Sequence, residues 1–249
     1  MSSRHPEAGP ARNLYDLLTG DEDARVCKDI PDAACREQPR NYLLHIVSLT
    51  ATSIGDWLSS PKLVLAWLLT HIGAPAFMLG LLVPIRESLS LLPQLFIAKT
   101  MRQVAVRKWF WVLGSVAQGL AVAAMALTVS LQDGAKGGWL LLGLLVLFSL
   151  ARGVCSVAAK DVMGKTIAKT RRGSVSGYAT AAAGAVVLAV GASGFLPGDG
   201  GRDLGFYVLL LSAAGALWII AAATYSLVDE YRGATEGGAD PGHNFHRDA

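Results

Sequence analysis

The stretch NYLLHIVSLTATSIGDWLSSPKLVLAWLLTHIG, residues 41–73, decides how the whole chain is read. It runs for 33 residues and is largely apolar, yet it carries Asp56, Pro61 and Lys62 near its middle. A helix needs about 20 apolar residues to cross a bilayer, and two registers meet that need. A span beginning at Leu63 scores better on hydropathy alone, but it reduces 85–101 to a short, poor segment. A span over 42–68, kinked where Pro61 removes a backbone donor, leaves APAFMLGLLVPIRESLSLLPQLFIA (74–98) whole. The second register is adopted here, and it puts Asp56 inside the membrane.

Outward from that stretch, the same criterion gives spans at 109–131, 138–159, 173–195 and 205–227. The expected fold is therefore an all-α membrane protein, a six-transmembrane-helix bundle. Composition agrees: 52% of residues are hydrophobic and 16% charged, against about 25% charged in soluble domains. Residues 1–41 form a polar N-terminal tail and residues 228–249 a polar tail expected to be disordered. The first 41 residues have no apolar core and many acids, so they fail the pattern of a cleaved signal. The first span is then expected to act as its own insertion signal. A net charge of +3 gives no reason to expect a nucleic-acid partner.

Charge placement sets the expected orientation. Residues 99–108 hold Lys99, Arg102, Arg107 and Lys108 with no acid, and 160–172 hold Lys160, Lys165, Lys169, Arg171 and Arg172 against Asp161 alone. Short basic connections stay cytoplasmic, so parity puts both termini there too. Cys27 and Cys35 are spaced so that a disulfide or half of a metal site is open to them, but in that compartment unpaired thiols are expected. Gly177, Gly184 and Gly191, with Ala181, form a small-residue stripe expected to let another backbone approach closely.

Two segments carry a family resemblance. GDWLSSPKLVLAWLLTHIGAPAFMLG supplies Gly55–Asp56, Pro61, Gly73–Ala74 and Gly80, followed by a basic connection ending at Arg107–Lys108. LARGVCSVAAKDVMGKTIAKTRRGSVSGY supplies Arg152, Asp161, then Arg171–Arg172–Gly173 and Gly177–Tyr178. Over about residues 41–230 the chain resembles the N-terminal half of a major facilitator superfamily (MFS) transporter. The basic connection lacks the family's aspartate and the glycine before its last basic pair, and Arg152 is not followed by the Gln-Gly of the antiporter variant. The resemblance implies two inverted three-helix repeats, secondary transport of a small solute or ion, and a bacterial inner (plasma) membrane. Such transporters place substrate between two six-helix halves, so a homodimer or a separately encoded second half is implied. The competing expectation is a truncated, non-transporting membrane fragment or assembly module.

A charge at mid-bilayer costs about 2.5–3.5 kcal/mol on insertion scales, which singles out Asp56, Arg86, Glu87 and Arg152. They are candidates for a substrate or proton pathway, or for internal ion pairs that hold the bundle. Under the resemblance, Asp56 and Arg152 lie on the first helices of the two repeats and meet across the cavity. Arg86 and Glu87 point about 100° apart on a helix, so one is expected to face the cavity and the other a neighbour. Arg102, Arg107, Lys108, Asp161, Arg171 and Arg172 form the cytoplasmic loop motif. His45 and His71 lie near span ends, where a solvated interface position is expected. His243 and His246 have metal-like spacing but no supporting ligands. There is no phosphate-binding loop, His-Glu-x-x-His or Gly-x-Ser-x-Gly pattern, so no enzyme, cofactor or metal is expected.

Overall fold

A computed structural model describes residues 10–19, 30, 32–193 and 203–232. Among them there is no strand. The helices are α1 (Pro10–Thr19), α2 (Asp32–Leu58), α3 (Ala66–His71), α4 (Phe77–Arg102), α5 (Lys108–Leu131), α6 (Gly134–Thr166), α7 (Arg172–Ser193) and α8 (Leu204–Ser226). A π turn, Pro61–Leu65, leads from α2 into α3.

The stretch at 41–73 is thus two helices with a break. Ser59 donates from both its N–H and its Oγ to the Gly55 carbonyl, at 3.0 and 2.9 Å, closing α2. Pro61 then starts the next turn, where its missing N–H costs nothing. The helix begins at Asp32, ahead of the apolar run. At the far end Gly134, with φ +66, turns the chain from α5 into α6. Its N–H reaches the Ile72 carbonyl at 2.6 Å, pinning that turn to the end of α3. A side chain at φ +66 would be strained, so the turn needs glycine.

Among the described residues, four segments are long and apolar enough to cross a membrane: Lys108–Leu131, Gly134–Thr166, Lys169–Ala192 and Leu204–Ser226. The chain is a membrane-embedded helical protein. α5 shows why. Trp111, Gly114, Ser115, Gln118, Val122, Met125 and Val129 are buried, while Leu113, Leu120 and Leu127, spaced by seven, are exposed on the opposite face. In water such a leucine stripe would be a liability; in lipid it is the expected surface. The segments holding Asp56 and Arg86–Glu87 are not among the four; the first of them is broken at Pro61.

The helices pack in the lateral order α4, α6, α5, α8, α2, α7, each against the next. α5 and α8 cross closely. A Cβ on Gly119 would lie 2.9 Å from the Gly215 carbonyl oxygen, and one on Gly215 would lie 3.0 Å from that of Gly119. The order is a palindrome. Exchanging α2 with α6, α4 with α7 and α5 with α8 reproduces it in reverse, with the reciprocal Gly119–Gly215 crossing at its centre. By contrast, a Cβ on Gly177, Gly184 or Gly191 would meet nothing beyond its own helix within 4 Å among the described residues. α7 instead buries Val175, Ala179 and Ala183, so the small-residue stripe is not where helices approach within this chain.

Apolar clusters fill the two ends of the bundle. One gathers Leu65, Leu68, Leu69, Met78, Leu82, Met125, Leu141, Phe148 and Trp218. The other gathers Ala51, Trp111, Cys155, Ala158, Val162, Tyr225 and Val228. Residues 228–232, assigned from sequence to the disordered tail, include the fully buried Val228 and the buried Glu230; residues 233–249 lie outside the described residues. Cys35 is disulfide-bonded, against the expectation of an unpaired thiol, and Cys27 lies outside the described residues. Cys155 is a buried free thiol.

Candidate functional site

Between the two apolar clusters, α2, α5, α6 and α8 line an open cavity of about 260 Å³. α2 contributes Thr52, Ser53 and Asp56; α5 contributes Trp111, Ser115 and Gln118; α6 contributes Arg152, Cys155 and Ser156; and α8 contributes Trp218. The periodicities that bury these helices also place the polar groups. Asp56 follows Gly55, whose missing side chain lets the Trp218 ring lie 2.9 Å from where a Cβ would stand. The indole thus closes one side of the cavity next to the carboxylate.

Asp56 holds two guanidinium groups. Its Oδ1 accepts from Arg86 Nη2 at 2.7 Å, and its Oδ2 accepts from Arg152 Nη1. The two arginines differ in environment. The Arg86 side chain is 8% exposed, with its guanidinium 4.7 Å over the Phe148 ring. The Arg152 side chain is 40% exposed and lines the cavity. One carboxylate against two guanidinium groups leaves the cluster with a net charge of +1. Arg86 is the anchored partner and Arg152 the accessible one. Glu87, one residue on, is exposed and forms no ion pair with either guanidinium among the described residues. Three of the four charges singled out from sequence therefore meet, and Glu87 does not.

A second polar cluster lies at the end carrying the basic connections. Glu230, whose side chain is fully buried, accepts from the backbone N–H of Arg107 at 3.0 and 2.8 Å and of Lys108 at 2.7 Å. It also accepts from Lys165 Nζ at 2.8 Å. Its carboxylate caps the start of α5, where unpaired N–H groups and the helix dipole favour negative charge. Arg107 Nη1 reaches Asp161 Oδ1 at 2.7 Å, and Lys108 Nζ donates to the Ser226 and Val228 carbonyls. The connection after α4, the end of α6 and the segment after α8 are thereby tied into one knot. Arg102 is the last residue of α4. Arg171 donates to the Thr19 carbonyl at the end of α1, and Arg172 donates to those of Ile167 and Gly164 at the turn after α6.

His45 departs from expectation. His45 is fully buried, its Nε2 2.9 Å from Thr166 Oγ1 and its ring edge-on to Tyr225. It is not solvated, because α2 presents Asn41, His45, Ser48 and Ala51 as one buried stripe. His45 Nδ1, Ser48 Oγ and Tyr225 Oη have no hydrogen-bond partner among the described residues, the usual mark of internal water. His71 is exposed and stacks on Trp67. His243 and His246 lie outside the described residues. No group of three metal-binding side chains occurs among the described residues.

Sequence reasoning missed Glu230 and Lys165 as a pair. Nothing local marks Glu230, which sits in a polar run after the last apolar span; only the return of that run onto α5 makes it structural. Comparison with family models, characterised proteins and solved structures returns no match for this chain.

Proposed function

We propose that the chain is a secondary-transport module of the MFS type, built from six crossing segments: α2 with α3, then α4, α5, α6, α7 and α8. The observation that carries this reading is Asp56 held between Arg86 and Arg152 in a polar cavity within a membrane bundle. Buried charge in a membrane is costly, and where it lines a cavity it marks a substrate or ion path. The palindromic packing order supports the same reading. Partners in the exchange are three segments apart, so in a chain that crosses alternately they run in opposite directions. That is the arrangement of inverted three-helix repeats, with α2 and α6 as first helices on either side of the cavity.

Transport in this reading requires a second six-helix half, a second copy of the chain or a separately encoded companion, because one half has no opposing surface to rock against. Both termini lie in the cytoplasm of a plasma-membrane protein, where the knot around Glu230 closes the cytoplasmic end. Reconstituted vesicles test the reading. Wild-type chain should take up at least one member of a panel of small anions, cations and neutral solutes, and Arg152→Gln should lose that uptake at equal incorporation. A strictly monomeric chain, inert to the whole panel, would leave a non-transporting assembly module.

A further inference from the structure

We infer that the cavity binds a small organic anion, with the carboxylate of the ligand displacing Asp56 from Arg152; this names the substrate class of the transport reading and rests on it for its biological use. The sign of the site comes from counting charge. Asp56 cancels one guanidinium, Arg86 is the buried partner stacked over Phe148, and the remaining positive charge belongs to the exposed Arg152. A cation entering the cavity meets that net +1 directly, whereas a carboxylate restores neutrality. Arginine presents several donors in a planar fork that matches a carboxylate. Arg152 uses Nη1 on Asp56, which leaves the fork able to turn to a second carboxylate while Arg86 retains the first. Glu87, the nearest acid in sequence, is exposed on α4 and near enough to act electrostatically on both guanidinium groups. It forms no ion pair with either among the described residues, so the directional donors of Arg152 stay open to a second carboxylate.

The rest of the wall fits an organic anion better than an inorganic one. Trp111 and Trp218 border the cavity with apolar ring atoms, while Ser53 and Ser156, which are partly exposed, add hydroxyls. A volume of about 260 Å³ is just below the about 300–1,000 Å³ of complete ligand pockets, as befits one wall of a site shared with another half. An anionic lipid headgroup offers the same charge, so the source must be separated by experiment.

The test uses the full chain in lipid nanodiscs and three probes of nearly one shape: benzoate, benzamide and benzylamine. Radiolabelled benzoate should bind saturably and be displaced by excess unlabelled benzoate, and also by acetate or propionate at higher concentration. Benzamide and benzylamine should not displace it. Losing a charged hydrogen bond should weaken binding about 10- to 100-fold in Arg152→Gln, while Arg152→Lys, which keeps the charge and loses the fork, should fall between the two. Binding in phosphatidylcholine discs that persists with phosphatidylglycerol present supports a soluble anion; binding abolished by phosphatidylglycerol assigns the site to lipid and overturns the inference. Preferential binding of benzylamine, or binding of no anion in the series, also overturns it. If Arg152→Gln does not fold, the wild-type ranking of the three probes still decides. Cation preference would leave transport intact as a reading, and anion binding without uptake would leave the site intact and remove transport.

Discussion

Two arginines contact the same carboxylate, and their surroundings predict different consequences of losing them. Arg86 is enclosed and stacked on Phe148. Arg86→Gln removes a charge-assisted hydrogen bond and a cation–π contact, about 2 kcal/mol together, and should lower the melting temperature. Arg152 is 40% exposed, so Arg152→Gln should change stability little. Asp56→Asn is the most damaging of the three, because it leaves two guanidinium groups facing each other without a carboxylate, a loss of about 3–5 kcal/mol. Thermal unfolding in detergent should rank Asp56→Asn below Arg86→Gln and Arg86→Gln below Arg152→Gln. Equal losses for the two arginines would contradict their division into anchor and accessible group. At this scale the sequence was informative, since a charge inside an apolar run stands out against its neighbours. Which of Arg86 and Glu87 turns inward was not legible, because adjacent residues differ only in a rotation that packing fixes.

The start of α5 depends on a residue more than a hundred positions later. Glu230 supplies the acceptor for two backbone N–H groups and the counter-charge of Lys165. Glu230→Ala should cost about 3–5 kcal/mol by leaving Lys165 and the helix start unpaired. Glu230→Gln keeps an acceptor and should cost less. Thermal unfolding of the two variants checks this; equal melting temperatures would show that the cap contributes nothing through its acceptor. Helix starts are often written locally, as Asp203 is for α8, accepting from Phe206 N–H at 3.1 Å. α5 has no such residue, and its N-terminal neighbour Arg107 makes no side-chain cap. Hydropathy therefore found the apolar body of each helix and missed what holds its ends. The stripe on α7 failed for a related reason. Small residues allow close approach but do not summon a neighbour, and the reciprocal glycine crossing lies instead between α5 and α8, at Gly119 and Gly215.

Across the whole molecule, membrane character was written in composition, and Pro61 marks the break in the first long stretch. The lateral order of the helices was not, since it arises from which buried faces match. That order brings α2 and α6, which carry the paired Asp56 and Arg152, to one cavity. A transporter alternately exposes such a cavity to the two sides of the membrane, and this can be read without knowing the substrate. Ser53→Cys, in a chain whose Cys27, Cys35 and Cys155 are replaced by serine, places a thiol on the cavity wall; Leu120→Cys in the same background places one on the lipid face of α5. Membrane-impermeant maleimide applied to right-side-out and to inverted vesicles should label position 53 from both sides and position 120 from neither. Labelling of position 53 from one side only, or from neither, would contradict the account of a cavity that opens alternately across the membrane.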